Sequence, residues 1–265
     1  MAFGFGQPGG EQVRQSKSER HSRIVAELRA APTLRVNELA DRLDVSTETV
    51  RRDFSELEER GLINRTYGGA TRPMSVEPAL AEREQLMVAE RERIADAVVE
   101  LVEDNDILMI GGGATTLHVA RRLAADRNHL TVITHALSIA VALASNPLHR
   151  VLMLPGQYDG REGLISGPDT IDALQRYRAS KAILGASGIT EEGPSDAGIG
   201  ASLIYGAMMR RSSETLIVAD HSKMGRNSLA VFGEWSRHIT LVTDRPLPSA
   251  LHTCLAAAHA KLVLA

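Results

Sequence analysis

Two groups of residues have types and spacings suited to chemistry. The first is Ser46, Thr47, Thr49, Arg51 and Arg52, with Arg65, Gly68 and Gly69 a little further on. An arginine fork matches guanine O6 and N7, and hydroxyls beside the free N–H groups of a first helical turn suit a phosphate. The second is Gly111-Gly112-Gly113-Ala114-Thr115-Thr116. A glycine-rich turn that ends a strand and opens a helix gathers backbone donors at the positive end of that helix, which suits an anion. Thr116 stands where a dinucleotide-binding turn needs its last glycine, and no lysine follows as in a P-loop. A single phosphate is therefore favoured over a nucleotide. Thr134, His135, Gly185, Ser187 and Lys223 follow other apolar runs and are candidates for the same crevice. Lys223 is a candidate phosphate partner there, the alternative being a surface lysine on a loop, while Asp220 reads as a turn former.

The elements that must position these groups follow from apolar spacing. Ile24 and Leu28 share one helical face, and Val36, Leu39, Ala40 and Leu43 repeat the i, i+3, i+4, i+7 pattern, with Pro32 between the two segments. A third helix begins after Ser46, a favoured N-cap, turns Val50, Phe54 and Leu57 inward and ends at Gly61. Two helices joined by the Asp44-Val45-Ser46 turn form a helix-turn-helix, whose second helix enters the major groove. Residues 62–67 read as a short strand ending in a Gly68-Gly69 turn, a wing that would carry Arg65 over the flanking backbone. A plainer possibility keeps Glu48 and Arg52 as an i, i+4 ion pair on a solvated face.

Beyond Pro73 and Pro78 a charged helix is expected over 79–103. Then come apolar runs at 106–110, 130–134, 150–154, 181–185, 214–219, 239–243 and 261–264. Helical stretches at 115–125, 136–144, 168–177 and 201–211 separate several of them. Strands alternating with helices imply crossovers and a largely parallel sheet covered on both faces. The expected division is a flexible tail over 1–17, a DNA-binding module over 18–73, a linker and the start of a connecting helix over 74–90, and an α/β domain over 91–265.

Composition narrows the function classes. Of 265 residues, 43% are hydrophobic and 24% charged, with a net charge of −3, so a uniformly basic nucleic-acid coat is excluded. Residues 1–73 hold 12 basic against 11 acidic side chains, so the positioning of arginines, not total charge, carries the nucleic-acid argument. One cysteine, Cys254, excludes a disulfide framework and a thiolate zinc cluster, and nine scattered histidines show no ligand spacing. No apolar run is long enough to span a bilayer and the first residues are unlike a signal peptide, so a cytoplasmic protein without metal or cofactor is expected.

The string Val45-Ser46, Thr49-Val50-Arg51-Arg52-Asp53, Arg65 and Gly68-Gly69-Ala70 resembles the winged helix-turn-helix of the DeoR family of bacterial transcriptional regulators. The second half is similar to the DeoR-type sensor domain, which resembles the ribose-5-phosphate isomerase and coenzyme A transferase folds. Matching pieces are the glycine-rich loop, Leu184-Gly185 through Gly188-Ile189, Asp220-His221-Ser222-Lys223 and Val242-Thr243-Asp244. The resemblance implies DNA contacts by Ser46, Thr47, Thr49, Arg51, Arg52, Arg65 and Gly69. It implies an effector site at Gly112, Gly113, Ala114, Thr115, Thr116, Thr134, His135, Gly185, Ser187 and Lys223. It also implies a repressor of a carbohydrate or polyol operon, working on double-stranded operator DNA as a homodimer or homotetramer and released by a phosphorylated sugar or related metabolite. His135 stands where the family usually has asparagine, and Met109-Ile110-Gly111 where an aspartate commonly precedes the loop.

Two other classes remain in view. An isomerase with an appended DNA-binding module needs a carboxylate base, and neither 185–188 nor 201–205 holds one. An architectural protein whose α/β half only dimerises would leave the donors gathered at several strand ends without a purpose.

Overall fold

The computed structural model describes residues 16–30, 33–59, 63–66, 68–71 and 80–265. The expectations placed on the N-terminal tail, Pro32, Gly61, Leu62, Tyr67, Pro73, Pro78 and the linker over 74–79 lie outside the described residues. The chain divides into two compact units, Met1–Met74 and Ser75–Ala265.

The first unit holds α1 (Lys17–Ala30), β1 (Thr33–Arg35), α2 (Val36–Leu43), α3 (Thr47–Glu59), β2 (Asn64–Thr66) and β3 (Gly69–Thr71). Its core is the expected apolar set, Ile24, Leu28, Val36, Leu39, Leu43, Val50, Phe54 and Leu57, joined by Leu34, Ile63 and Ala70. The α2–α3 turn closes through Asp44 in the left-handed region (φ 50°), a conformation aspartate tolerates well. The wing is a three-stranded antiparallel sheet in the order β1-β3-β2, one strand more than the expected hairpin. β1 escapes a reading by periodicity because three residues are too few to show an alternation.

The second unit opens with α4 (Leu80–Arg83) and α5 (Val88–Val99). The single helix expected over 79–103 is thus two, broken where Met87 takes φ 51°. The break has a local cause: the Arg91 guanidinium turns back and donates to the carbonyls of Arg83 and Leu86, which a continuous helix would have used internally.

Next come β4 (Ile107–Ile110), α6 (Ala114–Asp126), β5 (Thr131–Thr134), α7 (Leu137–Ala144) and β6 (Arg150–Met153), then a hairpin of β7 (Gln157–Asp159) and β8 (Leu164–Ser166). They are followed by α8 (Pro168–Leu174), β9 (Ala179–Gly185), β10 (Gly188–Thr190), β11 (Gly193–Asp196), α9 (Ile199–Arg210), β12 (Ser212–Val218), β13 (Ala230–Val231), β14 (Ile239–Thr243), α10 (Ser249–Ala257) and β15 (Lys261–Leu264). The seven expected strands form one parallel sheet in the order β15-β14-β12-β9-β4-β5-β6. Consecutive residues point to opposite faces: Leu108, Val132, Ile183 and Leu216 pack with α5 and α6 residues, and Met109, Ile133, Leu184 and Ile217 with α9 and α10 residues. Along the central strands β4, β5, β9, β12 and β14 both faces are buried, which is why their inner segments are apolar; the edge strands β6 and β15 are partly exposed.

The small antiparallel sheet β10-β11-β13 and the β7–β8 hairpin were not legible as strands, since each strand is only two to four residues long, too short to show an alternation. The chain reverses its winding between β4 and β9. That switch point is where an open parallel sheet leaves a crevice beyond its strand ends.

Candidate functional site

In the first unit, Ser46 starts α3. Its Oγ accepts from the Thr49 N–H (3.1 Å) and pairs with Thr49 Oγ1 (2.9 Å), so these two hydroxyls are engaged as a cap. Thr47, Arg51 and Arg52 are exposed, and neither arginine is ion-paired among the described residues. The Glu48–Arg52 pair is not formed among them either. Arg65 is exposed on β2, with its N–H donating to Glu58 Oε1 (2.9 Å) and Nη1 to Ser55 Oγ (2.8 Å), which fastens the wing to α3. Gly69 has a packing role: a Cβ there would lie 1.9 Å from the Leu34 carbonyl oxygen, so only glycine lets β3 close on β1.

The role of one residue of the matched motif escaped the sequence reading. Asp53, next to the two outward arginines, is 1% exposed. It accepts from Arg20 Nε (2.5 Å) and Nη2 (2.9 Å) and meets His21 Nε2 at 3.1 Å. Burial opposes its charge, but the hydrogen bonds from Arg20 and His21 outweigh burial and hold its pKa below the usual value. The carboxylate ties α1 to α3 and thereby orients the helix that presents Arg51 and Arg52. The signal was its position: Val50, Phe54 and Leu57 are core, and Asp53 lies on the same buried side.

In the second unit, strand register brings the predicted residues together. Ile110 pairs with both Thr134 and Ile183, and Gly185 with Val218, so the glycine-rich loop, Thr134-His135, Gly185–Ser187 and Asp220–Lys223 leave one edge of the sheet. The N–H groups of Gly112, Gly113, Ala114, Thr115 and Thr116 have no acceptor among the described residues. The first of the α6 N–H groups to find one is Leu117, bonded to the Gly113 carbonyl at 3.0 Å.

Tyr205, missed from sequence, sets the orientation of this loop. Its hydroxyl donates to the Gly112 carbonyl (2.8 Å). The peptide plane is rigid and trans, so the Gly113 N–H points away from Tyr205. Gly113 takes φ 130°, open to glycine and costly for other residues.

Several predicted residues work on the frame. Thr116 Oγ1 donates to the Gly113 carbonyl (3.0 Å). Thr134 Oγ1 donates to Ile110 O (2.7 Å) and accepts from Ala136 N (3.1 Å). Ser187 Oγ donates to Asp196 Oδ2 (3.2 Å), and Asp196 Oδ1 accepts from Gly198 N (2.8 Å). His135 is fully buried, edge-on to Tyr205 with ring centroids 5.8 Å apart, and its Nδ1 lies 2.8 Å from the Ile165 carbonyl. Since a carbonyl only accepts, Nδ1 carries the proton. Burial pushes the His135 pKa down to about 4, so the ring is neutral at pH 7. Leu164 of the hairpin lies over the loop: a Cβ on Gly112 would be 2.1 Å from its Cδ2.

Cations flank this edge. Lys223 belongs to a short 3-10 turn whose N-cap Asp220 accepts from Ser222 N (3.0 Å). Arg91 of α5, 4% exposed, brings Nη2 within 3.8 Å of Asp220 Oδ2. Asp244 holds His221 through the backbone N–H (2.6 Å) and Nδ1 (2.7 Å). Among the described residues, no three His, Cys, Asp or Glu side chains are grouped to hold a metal ion, and no helix is long and apolar enough to cross a membrane.

Comparison with known proteins matches residues 20–76 to the DeoR-like helix-turn-helix domain and residues 86–245 to the DeoR C terminal sensor domain. The chain is 32% identical over 247 residues to the HTH-type transcriptional repressor CsqR of Escherichia coli (strain K12), covering 92% of this chain and 94% of that one. It is 32% identical over 258 residues to the Glycerol-3-phosphate regulon repressor of the same organism, covering 94% and 99%. Among solved structures, ribose 5 phosphate isomerase A from Neisseria gonorrhoeae aligns with a TM-score of 0.39 at 20% identity, covering 51% of this chain and 52% of that one.

Proposed function

This chain belongs to the DeoR family of transcriptional regulators, and from that premise we propose that it is a DNA-binding repressor released from its operator by a small anionic metabolite. The observation that carries the reading is a matched pair of unspent donors. One unit exposes Arg51 and Arg52 on the second helix of a helix-turn-helix, and the other presents five backbone N–H groups without an acceptor among the described residues at the switch point of a parallel sheet. The arginines suit guanine edges and phosphates in a major groove, with Thr47 and the wing residue Arg65 on the flanking backbone.

In the crevice, Gly112, Gly113, Ala114 and Thr115 supply donors to a phosphoryl group and Lys223 a positive charge, while Thr116, Thr134, His135, Gly185 and Ser187 hold the shape. A relative named for the glycerol-3-phosphate regulon makes small polyol and sugar phosphates the compounds to test first.

The reading as a regulator and not an enzyme is supported by the state of the carboxylates. Asp196, Asp220 and Asp244 are each engaged through Oδ1 by backbone N–H groups, which fits a role in shaping the loops, and neither 185–188 nor 201–205 carries a carboxylate. Reading a palindromic operator requires two copies of the module, with half-sites one or more turns of about 10 bp apart, so we assign a dimer or tetramer.

The test is fluorescence anisotropy of the full chain on DNA from upstream of its own gene, at fixed salt because phosphate contacts make affinity salt-dependent. Glycerol 3-phosphate, hexose phosphates and the unphosphorylated sugars are titrated in. Release by a phosphate ester alone supports the reading. Specific binding that no ester disturbs removes the effector half of it.

A further inference from the structure

The segment from Leu80 to Arg91 is fastened at both ends to the rim of the crevice. At one end Leu80 packs on Gly163, where a Cβ would lie 3.5 Å from Leu80 Cδ2, and Arg83 pairs with Glu162. Both partners lie between β7 and β8, in the hairpin whose Leu164 covers Gly112. At the other end Arg91 donates through Nη1 to the carbonyls of Arg83 and Leu86 (2.6 Å to Leu86) and faces Asp220 through Nη2. Between these points, Leu86, Met87 and Val88 are exposed. A groove of about 630 Å³ lined by Leu80, Glu84, Leu117, Val141 and Tyr158 borders the segment.

Arg91 is the common member of these ties. Its 3.8 Å approach to Asp220 Oδ2 is too long for a hydrogen bond, and that oxygen accepts none among the described residues. The other carboxylate oxygen of Asp220 is taken by Ser222. Asp220 thus holds Nη2 by charge and not by a hydrogen bond, and an anion that offers oxygens at hydrogen-bond distance competes with it for the same guanidinium. Arg91 also lies on the helix that packs along α6, which carries the loop, and the Arg91 charge helps depress the pKa of His118 on α6, after burial and Arg121.

Resting on the anion-site reading above, we propose that Arg91 is a positioning residue coupling the crevice to the 84–87 turn. An anion seated on the glycine-rich loop draws the guanidinium away from Asp220 and from the carbonyls of Arg83 and Leu86, so the turn loses its fastening when effector binds. The turn lies near the N-terminal end of the second unit, in the stretch of chain that follows the DNA-binding module, and its loosening is the event that reaches that module.

Hydrogen exchange read by mass spectrometry on the full chain, with inorganic phosphate as the probe, tests this. Phosphate is expected to protect residues 112–116 and to speed exchange of the Glu84, Leu86 and Arg91 amides about tenfold, as loss of a local fastening does. In Arg91→Lys, which keeps the charge but cannot span the same acceptors, the turn exchanges fast without phosphate, and phosphate adds nothing. In Asp220→Asn, which removes the competing charge, phosphate binds several-fold more tightly; a merely structural role for Asp220 would not raise that affinity. Trp235 fluorescence confirms that each variant is folded. Protection of 112–116 with no change at 84–91 overturns the coupling and leaves the anion site standing. Absence of protection at 112–116 overturns the anion site and the competition together.

Discussion

The two units put polar side chains to opposite uses. In the first, the groups suited to a ligand face outward and unpaired, as Arg51 and Arg52 do, and the buried Asp53 serves only to hold their helix. In the second, Thr116, Thr134, Ser187, Tyr205 and His135 are buried or nearly so and bonded to the chain, so that backbone N–H groups are the donors left for the proposed anion. The difference fits the two ligands proposed. DNA is large and already ordered, and exposed arginines can exchange water for phosphate oxygens as it docks. A small anion offers few contacts, so its donors must be fixed beforehand by their surroundings. At an exposed site the residue type announces the role, whereas at a buried one the hydrogen-bond partner decides it.

Four changes would break or sharpen that contrast. The largest effect is expected from Asp53→Asn, which leaves Arg20 and His21 without their partner. Breaking a buried pair costs about 3–5 kcal/mol, enough to melt the first unit by circular dichroism. The fluorescence of Trp235, the single tryptophan, reports the second unit and should not move. A melt of both units together would end the division of labour.

Next is pH. His135 has a folded pKa of about 4 against 6.5 unfolded, so the folded state prefers the neutral ring. The stabilisation is whole above pH 6.5, falls as the unfolded chain takes up a proton, and is gone below about pH 4. The loss amounts to about 3 kcal/mol. Urea titrations followed through Trp235 should show this slope, flattened in His135→Asn but not abolished. His118 and His149, lowered mainly by burial, act in the same direction. An unchanged slope would mean that His135 is not the neutral, buried group described.

Arg51→Ala and Arg52→Ala should each weaken operator binding by about 1–3 kcal/mol, leaving Trp235 unfolding and phosphate protection of the loop unchanged. Equal loss on operator and random DNA would move the pair from base reading to backbone contact. The smallest effect is expected from Tyr205→Phe, about 1 kcal/mol of stability. Phosphate protection of residues 112–116 should weaken with it, because the Gly112–Gly113 peptide is no longer held; full protection would remove Tyr205 from the site.

This contrast also sets what could be read in advance. The three helices of the first unit follow from Ile24, Val36, Leu39, Val50 and Phe54, because local apolar spacing fixes helices and their buried side alike. The seven strands of the large sheet are visible as apolar runs, since both of its faces are covered. Arg51, Arg52 and the glycine-rich loop are legible because their chemistry is intrinsic to residue type. Asp53, Arg91 and Tyr205 are not, because their partners lie at Arg20, Asp220 and Gly112, which no local pattern connects. The break at Met87 was hidden for the same reason: the helical periodicity runs through it, and the group that ends the first piece is the side chain of Arg91.

The order β9-β4-β5 has a kinetic consequence. During synthesis β4 can pair with β5, and β5 with β6, soon after each emerges, but the other edge of β4 must wait for β9, which begins only at Ala179. Until then Ile107-Leu108-Met109-Ile110 is an open apolar strand edge in the middle of the future sheet. Pairing across such a separation is slow and leaves intermediates prone to self-association. The nascent chain is therefore most vulnerable between completion of β6 and arrival of β9, and chaperones that bind apolar strands should engage it in that interval.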